Sequence, residues 1–208
     1  MDIANIRSLS LSPSQAALKR AFDVFGAVLG LTLSWWLILL AWFVATIDTR
    51  SNGLFIQTRV GRGGCLFKVL KIKSMRSTAS INTTVTQRDD PRITRLGAFF
   101  RSTKIDELPQ LWNVLLGHMS FVGPRPDVPG FADRLEGDSR ALLSIRPGIT
   151  GPATLAYRNE EELLAQQDDP ETFNREVIWP DKVRINLDYI RNWSLRGDLQ
   201  FIINTVFK

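Results

Sequence analysis

The uncharged stretch VFGAVLGLTLSWWLILLAWFVATI, residues 24–47, decides the architecture of this chain. As an α-helix it would be roughly 36 Å long, against about 30 Å for the hydrocarbon core of a bilayer. It is apolar on every face and longer than most helices buried in soluble proteins. It is also too long for a signal peptide, and no small-x-small cleavage pattern follows it. The stretch therefore predicts a membrane-inserted helix.

Basic residues flank this segment on both sides, so the positive-inside rule does not assign one end to the cytoplasm. A helix that enters the inner leaflet, bends and returns to the same face satisfies both flanks. The hydroxyl of Ser34 could favour the bend by bonding to a backbone carbonyl. The sequence thus favours a re-entrant helix, with a simple span as the alternative. The flanking cations are Arg7, Lys19, Arg20, Arg50, Arg59 and Arg62.

The composition of the whole chain limits its class. At 208 residues the chain can bury one substantial core, so one domain plus the apolar segment is expected. The 26 Lys and Arg residues exceed the 21 Asp and Glu residues, which gives a net charge of +5. That excess suits nucleic acid, an anionic membrane surface or phosphate-bearing small molecules.

The counts of cysteine and histidine bear on redox state and metal chemistry. Cys65 is the single cysteine, so no internal disulfide can form and a reducing compartment fits. With His118 as the single histidine, a zinc site built mainly from these residue types is excluded. A bound metal would need oxygen ligands, which favours magnesium or a similar hard cation.

The stretch KIDELPQLWNVLLG, residues 104–117, sets two carboxylates beside an apolar pattern of helical spacing. Pro109 is tolerated only in the first turn of a helix, and Gly117 is a plausible stop, so a helix is expected to begin at about Asp106. Asp106 would then lie at the N-cap, where backbone N–H groups and the dipole stabilise an anion. An acidic helix start is the ordinary interpretation of Asp106 and Glu107, and a site of chemistry is the alternative.

Two turns carry arginines on stiff backbone. FVGPRPD, residues 121–127, places Arg125 between two prolines, and IRPGITGPA, residues 145–153, places Arg146 before a Pro-Gly pair. A planar guanidinium in a fixed position suits phosphate, because its fork can bind two oxygens. An exposed turn residue is the ordinary interpretation of each arginine, but two such turns beside an acid pair favour phosphate binding.

The remaining patterns complete the expected framework. RVGRGGCLFKVLKIKSM, residues 59–75, predicts a Gly-rich turn followed by a strand, and the polar run at 77–90 predicts an exposed loop. The chain contains no Walker loop, Rossmann fingerprint, GxSxG elbow or HExxH motif. The common nucleotide-binding and hydrolase signatures therefore do not apply.

Together these residues resemble the bacterial sugar transferases, the monotopic polyprenyl-phosphate phosphoglycosyl transferases that initiate glycan assembly. DELPQLWNVL and MSFVGPRP, at their spacing within residues 90–126, are specific to that family. The resemblance covers most of the chain. It extends through KRAFD (19–23), QTRVGRGGCLFKVLKIKSM (57–75), RPGITGPA (146–153), YRNEEELL (157–164) and YIRNWSLRGDL (189–199).

The resemblance implies transfer of a sugar phosphate from a UDP-sugar to a polyprenyl phosphate such as undecaprenyl phosphate, with release of UMP. It implies a ping-pong route in which Asp106 attacks the β-phosphate and forms a covalent phosphosugar, with Glu107 as its acidic neighbour. It also implies magnesium, for which Asp106 is the candidate ligand. The candidate substrate-binding residues are Lys71, Arg101, Arg125 and Arg158, which match family positions tied to phosphate or nucleotide, and Arg146, from its rigid turn.

The expected fold class is α/β: a helix-dominated compact cytosolic domain with short strands, plus one N-terminal membrane-inserted, re-entrant helix. We expect residues 1–20 at the membrane surface, 21–48 as the membrane helix and 49–208 as the cytosolic catalytic domain. The expected partners are a UDP-sugar, undecaprenyl phosphate and the cytoplasmic leaflet of the bacterial inner membrane, without nucleic acid. The sugar, the glycan pathway and the oligomeric state stay open, a homodimer included.

Two positions depart from the family pattern. Many relatives carry a Ser-Pro pair at the centre of the membrane helix, where the proline helps to bend it, but this chain has Ser34-Trp35. Relatives also commonly carry arginine where this chain has Lys73. Lysine keeps the charge but lacks the planar fork, so any phosphate contact there should be looser.

The alternatives are a membrane-tethered non-catalytic scaffold, against which the intact acid pair and both arginine turns argue, and a membrane-tethered protein that binds anionic lipid through its cationic surface without catalysis. The lipid-binding alternative can be distinguished from an enzyme by mutation. It predicts that loss of the carboxylate of Asp106 or Glu107 leaves function intact, whereas the enzyme hypothesis predicts loss of turnover. A nucleic-acid-binding role is disfavoured, because the basic clusters are not interleaved with aromatic residues and no known motif occurs.

Overall fold

The computed structural model describes residues 9–76 and 90–207. Almost all of the loop predicted at 77–90 lies outside the described residues, as does the beginning of the predicted segment 1–20. Within the described ranges the chain forms helices and two short two-stranded sheets around shared apolar clusters. The prediction of a helix-dominated compact fold with short strands and one long apolar N-terminal helix is confirmed.

The N-terminal helix, α1 (Pro13–Thr49), contains the whole apolar stretch 24–47. Its start is fixed by a capping box: the hydroxyl of Ser12 accepts from the backbone N–H of Gln15, and the side chain of Gln15 accepts from the backbone N–H of Ser12. Arg50 ends the helix in the left-handed conformation, at φ 52°.

Ser34 makes the bond to a backbone carbonyl that the sequence predicts. Its hydroxyl donates to the carbonyl of Gly30 at 2.7 Å, and Thr46 makes the same type of bond to Trp42 at 2.8 Å. The helix nevertheless continues through Ser34 without a break. Whether α1 re-enters or spans a bilayer stays a prediction.

The two faces of α1 differ in residue size and in exposure. Ala27, Ala41 and Ala45 are at most 2% exposed, because small side chains let the helix approach the rest of the fold closely. In the described part of the chain, α1 is the one helix long and apolar enough to cross a membrane. Its most apolar window is 11% buried, whereas the core helix of a soluble protein is mostly buried. The opposite face exposes more than half of Phe25, Leu33, Trp35, Trp36, Phe43 and Ile47.

An antiparallel hairpin packs beside α1. Strands β1 (Leu54–Val60) and β2 (Leu66–Ile72) pair from Leu54 with Ile72 to Val60 with Leu66. A 3-10 turn, Arg62–Gly64, joins them, and its glycines adopt positive φ angles of 69° and 83°. The predicted Gly-rich turn and following strand are confirmed. The first strand was not predicted, although the turn-forming pair Asn52-Gly53 directly precedes it.

A short parallel pair carries the two arginine turns. Strands β3 (Ser120–Val122) and β4 (Gly148–Thr150) pair in register. Arg125 follows β3 and Arg146 precedes β4, so the two arginines lie beyond opposite ends of this pair. The strands need glycine for their close approach, since a Cβ at Gly148 would lie 2.2 Å from the backbone nitrogen of Gly123.

Seven further helices build the rest of the described fold. Short 3-10 turns at Ile105–Glu107, Ala132–Arg134 and Gly137–Ser144 and a π-helical turn at Asn174–Ile178 connect them. The helices are α2 (Arg95–Ser102), α3 (Gln110–Leu115), α4 (Pro152–Ala156), α5 (Glu160–Ala165), α6 (Pro170–Phe173), α7 (Trp179–Arg191) and α8 (Leu195–Val206).

The helix predicted to begin at Asp106 begins later, at Gln110. Pro109 has no N–H and cannot bond to the carbonyl four residues before it, so Ile105–Glu107 form a 3-10 turn instead. Asp106 therefore lies in that turn and not at the N-cap of α3, which corrects the prediction. The predicted stop is confirmed, since Gly117 follows the helix at φ 84°.

A buried polar network ties α1 to the C-terminal helix. Lys19 Nζ lies 2.6 Å from Asp198 Oδ2. Asp198 also accepts from the hydroxyl of Tyr189 at 2.7 Å and from the indole N–H of Trp193 at 3.1 Å. All four residues are at most 8% exposed. These contacts fix the beginning of α1 on the rest of the fold.

Candidate active site

The acid pair lies on the 3-10 turn Ile105–Glu107, directly after Lys104, which adopts a left-handed φ of 60°. Asp106 is 8% exposed, and the side chain of Glu107 is 11% exposed. Burial of two adjacent carboxylates is costly unless cations or hydrogen bonds compensate it. The partners of each carboxylate therefore decide what it can do.

Glu107 is held by two cations from separate elements. Lys71 Nζ on β2 donates to Glu107 Oε1 at 3.0 Å, and Arg125 Nη2 donates to the same oxygen at 3.2 Å. Burial raises the pKa of Glu107, but the positive charges of Arg125, Lys71 and Lys104 outweigh it and lower the pKa to about 2. Glu107 is thus ionised at neutral pH and fixes both cations in place.

Asp106 is in the opposite situation. Its Oδ1 is buried and has no hydrogen-bond partner among the described residues. Burial, and secondly the charge of Glu107, raise the pKa of Asp106 to about 6, although Lys71, Lys104 and Arg101 act against the shift. Two adjacent carboxylates thus have widely separated pKa values, a pattern typical of acid pairs with different chemical roles. Asp106 has an oxygen without a partner in a cationic setting, as a nucleophile or metal ligand requires.

The two cations on Glu107 also influence each other. Burial lowers the pKa of Lys71, and the charge of Arg125 adds to this effect, while Glu107 opposes it. The charge of Glu107 raises the pKa of Arg125. Removal of the Glu107 carboxylate would therefore leave two close cations without the anion that holds them together.

Arg101 lies near the acid pair but has its own partner. Its guanidinium forms an ion pair with Glu161 on α5, and its charge is one of those that oppose the raised pKa of Asp106. Arg101 is half-buried, and its Nη1 also lies 3.9 Å from the sulfur of Met75. The structure thus brings Lys71 and Arg125 to Glu107, and Arg101 near enough to Asp106 for its charge to act there.

The other two predicted arginines donate to backbone carbonyls. Arg158 Nη2 donates to the carbonyl of Asn204 on α8 at 2.7 Å. Arg146 Nε donates to the carbonyl of Gly117, beyond the end of α3, at 2.8 Å. The acid pair precedes the start of that helix, so the structure does not bring Arg146 to it.

Sequence reasoning missed Lys104 and Asp127. Lys104 adds its charge to both carboxylates from the residue directly before their turn. Burial raises the pKa of Asp127 to about 7, against the charges of Lys182, Arg59 and Arg125. The signal for Asp127 was its place two residues after the arginine of PRPD, but nothing in the sequence indicated that it is half-buried among cations.

The donor atoms available for a metal are few. Among the described residues there is no group of three or more His, Cys, Asp or Glu side chains that could hold a metal ion. Magnesium does not need such a group, because it commonly binds one or two carboxylates and takes its other ligands from substrate phosphates and water. The buried, unpartnered Oδ1 of Asp106 fits that role. Glu107 does not, because its Oε1 is taken by two cations.

Comparison with known proteins identifies the family of this chain. Residues 14–208 match the family model described as bacterial sugar transferase. The chain therefore belongs to the bacterial sugar transferase family. This membership confirms the resemblance found in the sequence and the phosphoglycosyl transferase class expected from it.

Three relatives illustrate the range of the family. The chain is 36% identical over 192 residues to the UDP-glucose:undecaprenyl-phosphate glucose-1-phosphate transferase of Caulobacter vibrioides, covering 90% of this chain and 68% of that protein. It is 36% identical over 197 residues to the exopolysaccharide production protein PSS of Rhizobium leguminosarum bv. phaseoli, covering 91% and 93%. It is 32% identical over 203 residues to the UDP-N-acetylgalactosamine-undecaprenyl-phosphate N-acetylgalactosaminephosphotransferase of Aeromonas hydrophila, covering 96% and 45%.

Proteins with these names differ in their sugars and in their lengths. The chain spans less than half the length of several relatives that it matches. Similarity therefore identifies the family and the type of reaction, but not the sugar.

Proposed function

We propose that this protein transfers a sugar phosphate from a UDP-sugar to undecaprenyl phosphate and releases UMP, at the cytoplasmic face of the bacterial inner membrane. The names of its relatives support this type of reaction. The observation that carries the proposal for this chain is the contrast within the acid pair: Glu107 is fixed by two cations, while Asp106 keeps a buried oxygen without a partner.

The proposed first step is attack of an Asp106 oxygen on the β-phosphorus of the UDP-sugar. A new bond forms between that oxygen and phosphorus, the bond from phosphorus to the oxygen bridging the two phosphates breaks, and UMP leaves with that oxygen. In the second step, a phosphate oxygen of undecaprenyl phosphate attacks the same phosphorus, and the carboxylate leaves. One difficult transfer becomes two displacements, as in other carboxylate-nucleophile enzymes.

The charges around the turn suit this chemistry. A pKa of about 6 leaves Asp106 mostly ionised at neutral pH, yet more basic than an ordinary aspartate. A carboxylate and a diphosphate repel each other, so cations must neutralise the oxygens in between. Lys71 and Arg125, which Glu107 holds near Asp106, can neutralise the negative charge of those oxygens. Glu107 acts as a positioning residue for these two cations.

Magnesium is the cofactor that fits this site. Asp106 would hold it, since its Oδ1 lacks another partner. When bound, the ion would neutralise charge on the diphosphate oxygens and orient them.

The apolar helix accounts for access to the lipid acceptor. Its large side chains are exposed along one face, so insertion of α1 into a bilayer would cover them and hold the site near the membrane surface. A re-entrant course would place both basic flanks on the cytoplasmic side, where a UDP-sugar is available.

A direct assay tests the proposal. Detergent-solubilised protein is incubated with magnesium, undecaprenyl phosphate and a panel of UDP-sugars, and UMP release is followed. We expect UMP from at least one donor and a phosphosugar adduct in the intact mass when the acceptor is left out. Folded protein that releases no UMP from any donor would overturn the proposed function, and UMP release without an adduct would overturn the covalent step alone.

A further inference from the structure

A second cationic cluster lies beyond the end of α3, away from the acid pair. Arg20 on α1 donates to the carbonyls of Val114 and Leu115 at 2.7 and 2.8 Å. Arg146 Nε donates to the carbonyl of Gly117 at 2.8 Å. A Cβ placed on Gly117 would lie 3.3 Å from Arg20 Nη2 and 3.9 Å from Arg146 Nε, so both side chains lie against the same turn.

Arg62 lies at the tip of the β1–β2 hairpin, and this tip packs against the segment that leads into Arg146: a Cβ on Gly64 would lie 3.9 Å from the side chain of Leu143. Burial lowers the pKa of Arg146, and the charges of Arg20 and Arg62 lower it further, because all three cations lie close together. Capping of the carbonyls at the end of α3 explains why Arg20 and Arg146 are there. It does not explain Arg62, whose exposed side chain makes no hydrogen bond to the described residues.

No ion pair balances the charges of this cluster, and a single acid acts on it. Within the described ranges, none of the three arginines takes part in an ion pair. The one acid that acts on Arg146 is Asp23, and Asp23 accepts from Ser120 Oγ at 2.9 Å and from the backbone N–H of Phe121 at 3.0 Å. Like charges held together without a counter-charge are unfavourable, and an external anion would relieve their repulsion.

The surroundings of the cluster indicate where such an anion comes from. Leu116, next to the turn that binds Arg20 and Arg146, is 63% exposed, and Leu66, four residues after Arg62, is 59% exposed. Phe25, just over one helical turn after Arg20, is 71% exposed. Cations that alternate along the chain with exposed apolar side chains are typical of a surface that lies at the headgroup level of a membrane.

We propose that Arg20, Arg62 and Arg146 form a binding site for the phosphate of an anionic membrane phospholipid, separate from the acid pair. The guanidinium of Arg146 has its two terminal nitrogens left over after Nε has bonded, and a planar fork binds two phosphate oxygens. Arg62 sits on the glycine turn at the hairpin tip, and its exposed guanidinium supplies a further positive charge. The proposal rests on the proposed insertion of α1 in a membrane, but not on the transfer reaction.

Binding to a short-chain lipid tests this site without any nucleotide sugar. The full chain in dodecyl maltoside is titrated with dihexanoyl phosphatidylglycerol or dihexanoyl phosphatidylcholine, and tryptophan fluorescence and native mass spectrometry follow binding. We expect the anionic lipid to bind more tightly, and Arg62→Ala to weaken it about fivefold, the effect of one arginine at a lipid surface. Equal affinity for the two lipids, or unchanged affinity in Arg62→Ala, would overturn the proposal.

Controls separate this site from general charge and from free phosphate. Arg196→Ala removes one exposed arginine on α8 and should leave the lipid affinity unchanged; an equal loss would mean that net charge alone decides binding, against the site. Inorganic phosphate should compete only weakly, and competition as strong as that of the lipid would identify a free-anion site instead. Arg146→Gln should also weaken binding, and its thermal midpoint reports whether it folds. UMP release is measured in a separate assay. The lipid-binding result can therefore be interpreted even if no transfer is detected.

Discussion

The ammonium group of Lys71 lies 3.0 Å from Oε1 of Glu107 and makes its hydrogen bond there, although its charge also acts on Asp106, the carboxylate to which we assign the nucleophilic role. The cation that would assist at the diphosphate is therefore held by the neighbouring acid before substrate arrives. Arg125 is held in the same way, at 3.2 Å. Glu107 thus acts on the reaction through the cations it positions and through its charge next to Asp106.

Glu107→Gln should lower the pKa of Asp106, because the charge of Glu107 helps to raise it. UMP release in wild-type protein should fall as pH drops through about 6, where Asp106 takes up a proton. In Glu107→Gln this acidic limb should move to lower pH, while the maximal rate falls roughly 10- to 100-fold because Lys71 and Arg125 lose their anchor. UMP release measured from pH 5 to 9 checks both effects.

The matched control for that profile is Glu176→Gln, which removes an exposed carboxylate paired with Arg175. Its pH profile and rate should equal those of the wild type. An acidic limb that stays in place in Glu107→Gln would contradict the assignment of this limb to Asp106.

Asp106→Asn should abolish turnover and stabilise the fold. Loss of the nucleophile should reduce UMP release by at least about 10³-fold and remove the phosphosugar adduct. The pKa of Asp106 is raised from 3.8 to about 6 on folding, so protonation stabilises the folded protein, and this stabilisation is lost as pH rises through 6. At pH 8 the asparagine avoids a cost of roughly 3 kcal/mol, equivalent to a thermal midpoint about 6 to 12 °C higher for a chain of this length.

Thermal unfolding at pH 8 and at pH 5 checks the sign of this effect. The advantage of Asp106→Asn should be largest at pH 8 and should shrink towards pH 4, where wild-type Asp106 is protonated. Asp138→Asn, at an exposed position, serves as the control and should leave both the midpoint and UMP release unchanged. A less stable Asp106→Asn at pH 8 would mean that the carboxylate stabilises the fold, which is incompatible with a raised pKa.

Asp198→Asn should destabilise the protein by about 3 kcal/mol, because Lys19 would be left as a buried cation without its partner. The loss should be smaller in the double variant with Lys19→Met, since the two effects share one ion pair. Asp188→Asn, whose side chain is 50% exposed in its pair with Arg191, should change stability by less than about 0.5 kcal/mol. Additive losses in the double variant would argue against direct coupling of α1 to α8.

Part of the site could be predicted from the sequence because its signals are local. The acid pair, the proline-flanked Arg125 and the strand carrying Lys71 are each visible in a few residues, and the structure brings them together. The resemblance names positions but not partners. The bond of Arg146 to the carbonyl of Gly117 and the pairing of Lys71 with Glu107 join segments that are distant in the sequence. Both depend on how those segments pack.

Two features were missed because a local sequence pattern does not reveal them: the half-buried setting of Asp127 and the late start of α3. Asp127 stands in a turn motif that is usually exposed, and its setting is made by Arg59 and Lys182 from other elements. The start of α3 depends on one missing N–H at Pro109, which allows either a helix or a 3-10 turn before it, and a local pattern does not distinguish them.

Labelling of its two ends can distinguish a re-entrant from a spanning course of α1 in the membrane. The continuous helix with a Ser34-Trp35 centre contains no proline to break its hydrogen bonds, yet both of its flanks are basic. If the helix re-enters, its two ends lie on the cytoplasmic side. In a Cys65→Ser background, single cysteines at Ser10 and Asn52 should then resist a membrane-impermeant maleimide in intact spheroplasts and react after permeabilisation. Reaction of one of the two cysteines in intact spheroplasts would establish a simple span. Trp35→Pro restores the residue pair common in relatives. Whichever course the wild-type helix takes, both ends of this variant should lie on the cytoplasmic side.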